Sequence, residues 1–170
     1  MKKTILINLY GGPCSGKSTI CAGLFYELKK RGYDCEMALE FAKEKVWDES
    51  YKILEDQIYI FGKQYHKIKR LYGKVDIIIS DSPLLLNIWY DKSENKIFKE
   101  LVLDCLQEFS HRDFFISRGE DYNENGRILT LQEAKQIDEG LKKLLEESKI
   151  DYTIFPQETA IMDIIKYLEL

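Results

Sequence analysis

The chain has 170 residues, 45% hydrophobic and 32% charged, a balance that fits one globular domain and excludes a disordered or fibrous chain. Its 25 basic and 29 acidic residues give a net charge of −4, which argues against broad neutralisation of a nucleic-acid backbone while allowing a local basic cleft. No apolar run approaches the roughly 18 residues of a membrane span, so neither a membrane nor a nucleic acid is the expected partner.

Residues 4–10 read as a short buried strand that ends in the turn signal Gly11-Gly12-Pro13. A helix is expected from Lys17 to Lys30, with Ile20, Leu24 and Leu28 at helical spacing and Gly32 closing it. Cys35 to Leu39 reads as a second strand with Glu40 at its end, and helical segments fill roughly 41 to 72. Val75-Asp76-Ile77-Ile78-Ile79 is the strongest strand signal, followed by a short helix from Pro83 and another over about 94 to 109. Asp113 to Ser117 is the fourth strand, 118–129 a polar loop, and Leu131 to Leu145 an amphipathic helix. Tyr152 to Phe155 is the fifth strand, and a last helix carries Ile161, Ile164, Ile165 and Leu168. Strands alternating with helices predict an α/β fold of three layers, with five parallel strands between helices, in one domain over 1–170. In such sheets ligands bind beyond the carboxyl ends of the strands.

After the first strand comes Gly11-Gly12-Pro13-Cys14-Ser15-Gly16-Lys17-Ser18, with Thr19 next. This is G-x-x-x-x-G-K-[ST] in full, in the strand–turn–helix setting it requires. Its glycines let backbone amides curl round a polyphosphate, Lys17 reaches the β and γ oxygens, and the Ser18 hydroxyl is placed to ligate Mg²⁺. ATP and Mg²⁺ are therefore the expected cofactors. Asp81, after the third predicted strand, is the second candidate metal ligand; the competing reading is a cap on the next helix. Glu40 is a candidate base for an acceptor hydroxyl, set against an ordinary solvated acid. Arg118 and Arg127, in a loop over 118–130, are candidate lid cations against the charge of the transferred group; the competing reading pairs them with neighbouring acids. Gln157 and its neighbours after the fifth strand are placed to meet a purine edge. Trp47, Tyr59 and Tyr65 read more readily as core than as a base-stacking platform, and His66 and His111 as solvated or capping.

The four cysteines, Cys14, Cys21, Cys35 and Cys105, form no C-x-x-C pair and suit small buried thiols in a reducing cytoplasm; Cys14 alone sits where its thiol is exposed. Met1-Lys2-Lys3 and the apolar stretch behind it mimic a signal peptide, but Asn8 interrupts the stretch, and a cytoplasmic location is expected. Asn95-Lys96-Ile97-Phe98 fails the guanine motif N-K-x-D at its last place, which disfavours a GTPase, and length disfavours an AAA-type motor.

These residues together resemble the small-molecule P-loop kinases, the nucleoside and nucleoside monophosphate kinase group. Within it the chain is similar to the ribosylnicotinamide kinase domain of the bacterial NAD regulator and to related phage-type ATPases. The likeness rests on the phosphate loop, on Glu40-Phe41-Ala42-Lys43-Glu44 with Trp47 beyond, and on Asp121 to Arg127. Lys43 stands where that family has arginine, and Pro83 where it has a second acid after Asp81. The resemblance implies transfer of the γ-phosphoryl group of ATP to a nucleoside or nucleotide, with Glu40 facing the acceptor. Nicotinamide riboside is one specific acceptor it suggests, and an ATP-binding sensor without kinase activity is the rival class. The acceptor and the oligomeric state, a homodimer included, stay open.

Overall fold

Each strand turns successive side chains to opposite faces, and that alternation sets the layers. The computed structural model describes residues 3–119 and 130–170. Its strands are β1 (Ile5–Tyr10), β2 (Cys35–Ala38), β3 (Ile77–Ser80), β4 (His111–Ser117) and β5 (Tyr152–Pro156). They form one sheet in the order β2-β3-β1-β4-β5, and every neighbouring pair is parallel. The helices are α1 (Lys17–Lys30), α2 (Phe41–Trp47), α3 (Gln57–Lys69), α4 (Leu86–Tyr90), α5 (Lys96–Gln107), α6 (Leu131–Glu147) and α7 (Ala160–Tyr167), with a 3₁₀ turn over Tyr51–Glu55.

Ile7 and Leu9 of β1, Ile77 and Ile79 of β3, and Phe114 and Ile116 of β4 pack against Ile20, Leu24 and Leu28 of α1 and Ile164 of α7. The opposite face carries two clusters. Leu6 and Ile78 meet Phe61 and Ile68 of α3 and Phe98 and Val102 of α5; Tyr10 and Phe115 meet Leu141 and Leu145 of α6. Helices thus cover both faces, as the β-branched strands require. β1, adjacent to β3 and β4, is flanked on both sides and carries the phosphate loop from the middle of the sheet.

Three details differ from the sequence reading. β2 stops at Ala38, so Glu40 does not end the strand; it stands at the N-cap of α2. α4 starts at Leu86 rather than at Pro83, because Pro83 instead opens a turn whose carbonyl accepts from the Leu86 amide. His111 is only partly exposed. It pairs with Asp113, whose side chain is 2% exposed and whose other oxygen accepts from Asn8 Nδ2 at 2.9 Å. Asn8 and Asp113 are register partners across β1 and β4, so Asn8 Nδ2 and both Asp113 oxygens are partnered, while Asn8 Oδ1 has no partner among the described residues.

Candidate phosphate-binding and catalytic site

Gly11, Cys14 and Gly16 all have positive φ, at 137°, 64° and 82°. Those dihedrals curl the chain between β1 and α1 and suit glycine at 11 and 16. A Cβ on Gly11 would lie 2.6 Å from Ser15 Oγ, and one on Gly16 would lie 2.9 Å from the Gln157 side chain. The glycines thus keep the loop narrow and bring Gln157 from beyond β5 against it. Gly16 is the N-cap of α1 and offers no side-chain cap, which leaves the first amides of that helix for an anion.

Lys17 folds back over the loop, its Nζ donating to Gly11 O at 2.6 Å and Gly12 O at 3.0 Å. Burial lowers its pKa, against the attraction of Glu40 and Asp81, which raises it. The Ser15 hydroxyl is buried and has no hydrogen-bond partner among the described residues. A cavity of about 460 Å³ opens over Pro13, Cys14, Ser15, Gly16, Lys17, Ser18 and Thr19 and reaches Glu40, Lys43 and Gln157. The orphaned hydroxyl, the uncapped helix and the lysine all fit a polyphosphate.

Asp81, one residue past β3, does not cap α4. Its Oδ2 accepts from Ser18 Oγ at 2.7 Å, and its Oδ1 accepts from the backbone amide of Glu40 at 3.0 Å. No group of three or more His, Cys, Asp or Glu side chains suited to a metal occurs among the described residues. Mg²⁺ seldom asks for one, since it is bound through one or two protein oxygens with phosphates and water completing its shell. Ser18 and Asp81 fit that role.

Glu40 is held from both sides of the α2 N-terminus. Its own amide is tied to Asp81, and the next amide, of Phe41, donates to Oε1 of buried Gln64, whose Nε2 returns to Ala38 O. Burial raises the Glu40 pKa; Lys17 and Lys43 pull it back down, and Asp81 pushes it up. A second cavity of about 300 Å³ is lined by the polar Ser18, Asp81, Glu40 and Lys43 and by the apolar Met37, Leu39 and Trp47. Trp47 is 80% exposed, which corrects its assignment to the core. Tyr65 rests on Phe61 and Phe109, and Tyr59 packs edge-on to Phe41.

Arg118 lies just past β4. Its guanidinium grips Asp138 of α6 and donates to Pro13 O at 2.6 Å, with its side chain 7% exposed. Pairing with an acid was the competing reading of this residue. Arg127 lies outside the described residues, as does most of the 118–130 loop. Asp138, absent from the sequence reading, accepts from the Gly12 amide at 2.6 Å. The signal was available: Asp138 falls on the buried stripe Ala134, Leu141, Leu145 of an amphipathic helix, where an acid needs partners. Of the cysteines, Cys21 and Cys35 are buried, Cys105 is partly buried and Cys14 is exposed. Burial pushes the Cys21 thiol up to about 12, so it stays protonated and inert.

Over residues 6–160 the sequence matches a family model, AAA_28, described as an AAA domain. The chain belongs to this AAA domain family. Two solved structures share its fold. The NadR protein, in complex with NR, superposes with a TM-score of 0.73 at 16% identity, covering 99% of this chain and 52% of that one. Shikimate kinase from Aquifex aeolicus vf5 superposes at 0.54 with 23% identity, covering 96% of each chain. The chain therefore spans about half the length of the NadR chain. No curated protein matches the sequence. No helix among the described residues is long and apolar enough to cross a membrane.

Proposed function

We propose that the protein is an ATP- and Mg²⁺-dependent kinase that moves the γ-phosphoryl group to a nucleoside or nucleotide. The observation that carries this reading is the shared wall of the two cavities: Ser18, Glu40 and Lys43 line both. A triphosphate on the loop would direct its terminal group at that wall, and an acceptor in the smaller cavity would meet it there. Ser18 and Asp81 would hold Mg²⁺, which would supply neutralisation of phosphate charge.

The protein's own residues then have distinct tasks. Backbone amides of residues 14–18 and Lys17 hold the phosphates. Asp81 fixes Ser18 and, through the Glu40 amide, the start of α2. An acceptor oxygen attacks the γ-phosphorus, the bond from that phosphorus to the β,γ-bridging oxygen breaks, and ADP departs. Where the acceptor is a hydroxyl, its proton passes to Glu40, whose raised pKa suits a base. Trp47, Met37 and Leu39 offer an apolar wall to a base or other flat ring. Gln157, on the far side of the loop, would face the purine of ATP.

The similarity of fold to NadR in complex with NR makes nicotinamide riboside one acceptor to try. The test is incubation of the chain with labelled ATP, Mg²⁺ and a pool of nucleosides, nucleoside monophosphates and nicotinamide riboside, followed by identification of the labelled product. A labelled member of the pool is expected. Binding or hydrolysis of ATP with no labelled acceptor would replace the kinase with an ATP-dependent sensor.

A further inference from the structure

We infer that Asp138 is a positioning residue for the phosphate loop, and that Arg118 works with it as a brace behind the loop and makes no contact with the transferred group. The inference rests on reading the loop as a nucleotide site.

Asp138 lies on α6 among Ala134, Leu141 and Leu145, with its side chain 10% exposed. An ionised carboxylate on an apolar stripe costs stability unless it is fully partnered, and both of its oxygens are. Oδ1 accepts from the Gly12 amide at 2.6 Å and from Arg118 Nη2 at 3.2 Å. Oδ2 accepts from Arg118 Nε at 2.6 Å. Arg118 Nη1 then donates to Pro13 O at 2.6 Å. The ring closes on two consecutive residues of the loop, fixing an amide at one and a carbonyl at the next.

Gly12 gives an independent reason. A Cβ there would lie 2.7 Å from Arg118 Nη2 and 2.8 Å from Asp138 Oδ1. The absence of a side chain at Gly12 is thus explained by the brace, since the groups it makes room for belong to the protein. Neither Arg118 nor Asp138 lines the cavity over the loop or the smaller one beside it. To reach a γ-phosphate, the guanidinium would have to abandon both Asp138 and Pro13.

The two roles predict different kinetics. A brace shapes the loop equally for bound nucleotide and for the transition state, so its loss raises Kd and KM while kcat holds. An arginine on the transferring phosphoryl group acts in the transition state, and its loss lowers kcat by about 10³-fold or more.

The test uses the full chain. MgATP affinity by calorimetry, ATP turnover and circular dichroism are compared for wild type, Asp138→Asn, Arg118→Gln and the double variant. Charged hydrogen bonds of this kind predict a Kd for MgATP weakened roughly 10- to 100-fold in each single variant. We expect kcat within about threefold of wild type, and a double variant no weaker than the poorer single one. Should Asp138→Asn fail to fold, Arg118→Gln reads the same ring from its other partner. A large fall in kcat for Arg118→Gln with unchanged Kd would overturn the brace. So would folded variants that melt earlier yet bind MgATP as wild type does. A wild-type chain that takes up no MgATP would instead overturn the reading of the site itself, so the two failures are told apart.

Discussion

The Ser18 hydroxyl donates to Asp81 Oδ2 at 2.7 Å across 63 positions of sequence, joining the first turn of α1 to the end of β3. In the proposed kinase this pair would hold the magnesium ion. Ser18→Ala and Asp81→Asn should each cut ATP turnover by about 10²-fold and raise the magnesium concentration needed for half-maximal rate. Turnover measured over a magnesium titration checks this. An unchanged midpoint in both variants would remove these residues from the metal site.

Glu40→Gln should lower kcat by about 10²- to 10⁴-fold with a hydroxyl acceptor and have little effect with a phosphate acceptor, which needs no base. The wild-type rate should fall on acidification as the carboxylate, its pKa raised by burial, takes up a proton; the variant should lack that acid limb. The sign for stability is opposite to the usual case for an acid. A carboxyl whose pKa is higher in the folded chain binds more protons there, so it favours folding below its unfolded pKa and loses that contribution as pH rises through the folded value. Glu40→Gln should therefore raise the melting temperature at neutral pH relative to wild type, and the gain should shrink as pH falls through the folded value and be gone below the unfolded one. Thermal melts of both proteins across that range measure it.

Gly16→Ala places a methyl 2.9 Å from Gln157 at a φ of 82°. Strain at such a position is of order 1–3 kcal/mol, and the loop should lose its fit to phosphates. The expected outcome is a folded protein of lower melting temperature with no calorimetric MgATP binding. Binding at wild-type affinity would show that the loop's curvature is not what recognises the nucleotide.

Thr130 and Glu133 form a capping box at the start of α6, the Thr130 hydroxyl accepting from the Glu133 amide and the Glu133 carboxylate accepting from the Thr130 amide. Thr130→Ala should cost about 1 kcal/mol, read by denaturant unfolding, and leave MgATP affinity unchanged at temperatures where the helix is intact. A change in affinity would mean that the end of α6 is coupled to the site.

Local signals carried much of this molecule into its sequence. The phosphate loop was legible because its spacing is itself the chemistry, and α1 was legible because Ile20, Leu24 and Leu28 repeat at the helical period. Glu40 was read at the end of β2 and stands instead at the start of α2, since the end of β2 depends on pairing with Ile77–Ser80, which no local pattern in 35–40 encodes. Asp81 could be read as metal ligand or helix cap; α4 starts too far on for it to cap, and its bond to Ser18 is a tertiary contact that no local pattern encodes. Arg118 could likewise be read as a lid cation or as paired with an acid; its partner, Asp138, lies on α6, twenty residues on, where no local pattern points to it. Trp47 passed for core because aromatic residues usually are, and its position on the rim of a cavity is a tertiary fact.

The common boundary formed by Ser18, Glu40 and Lys43 has a practical meaning for inhibitor chemistry. A single compound joining an adenosine polyphosphate to an acceptor-like ring would fill the two adjoining hollows together. Because its second half docks at the high effective concentration set by a short tether, it should outcompete either half alone by a wide margin. The polyphosphate tether giving the tightest grip would then act as a molecular ruler for the gap that the transferred group crosses.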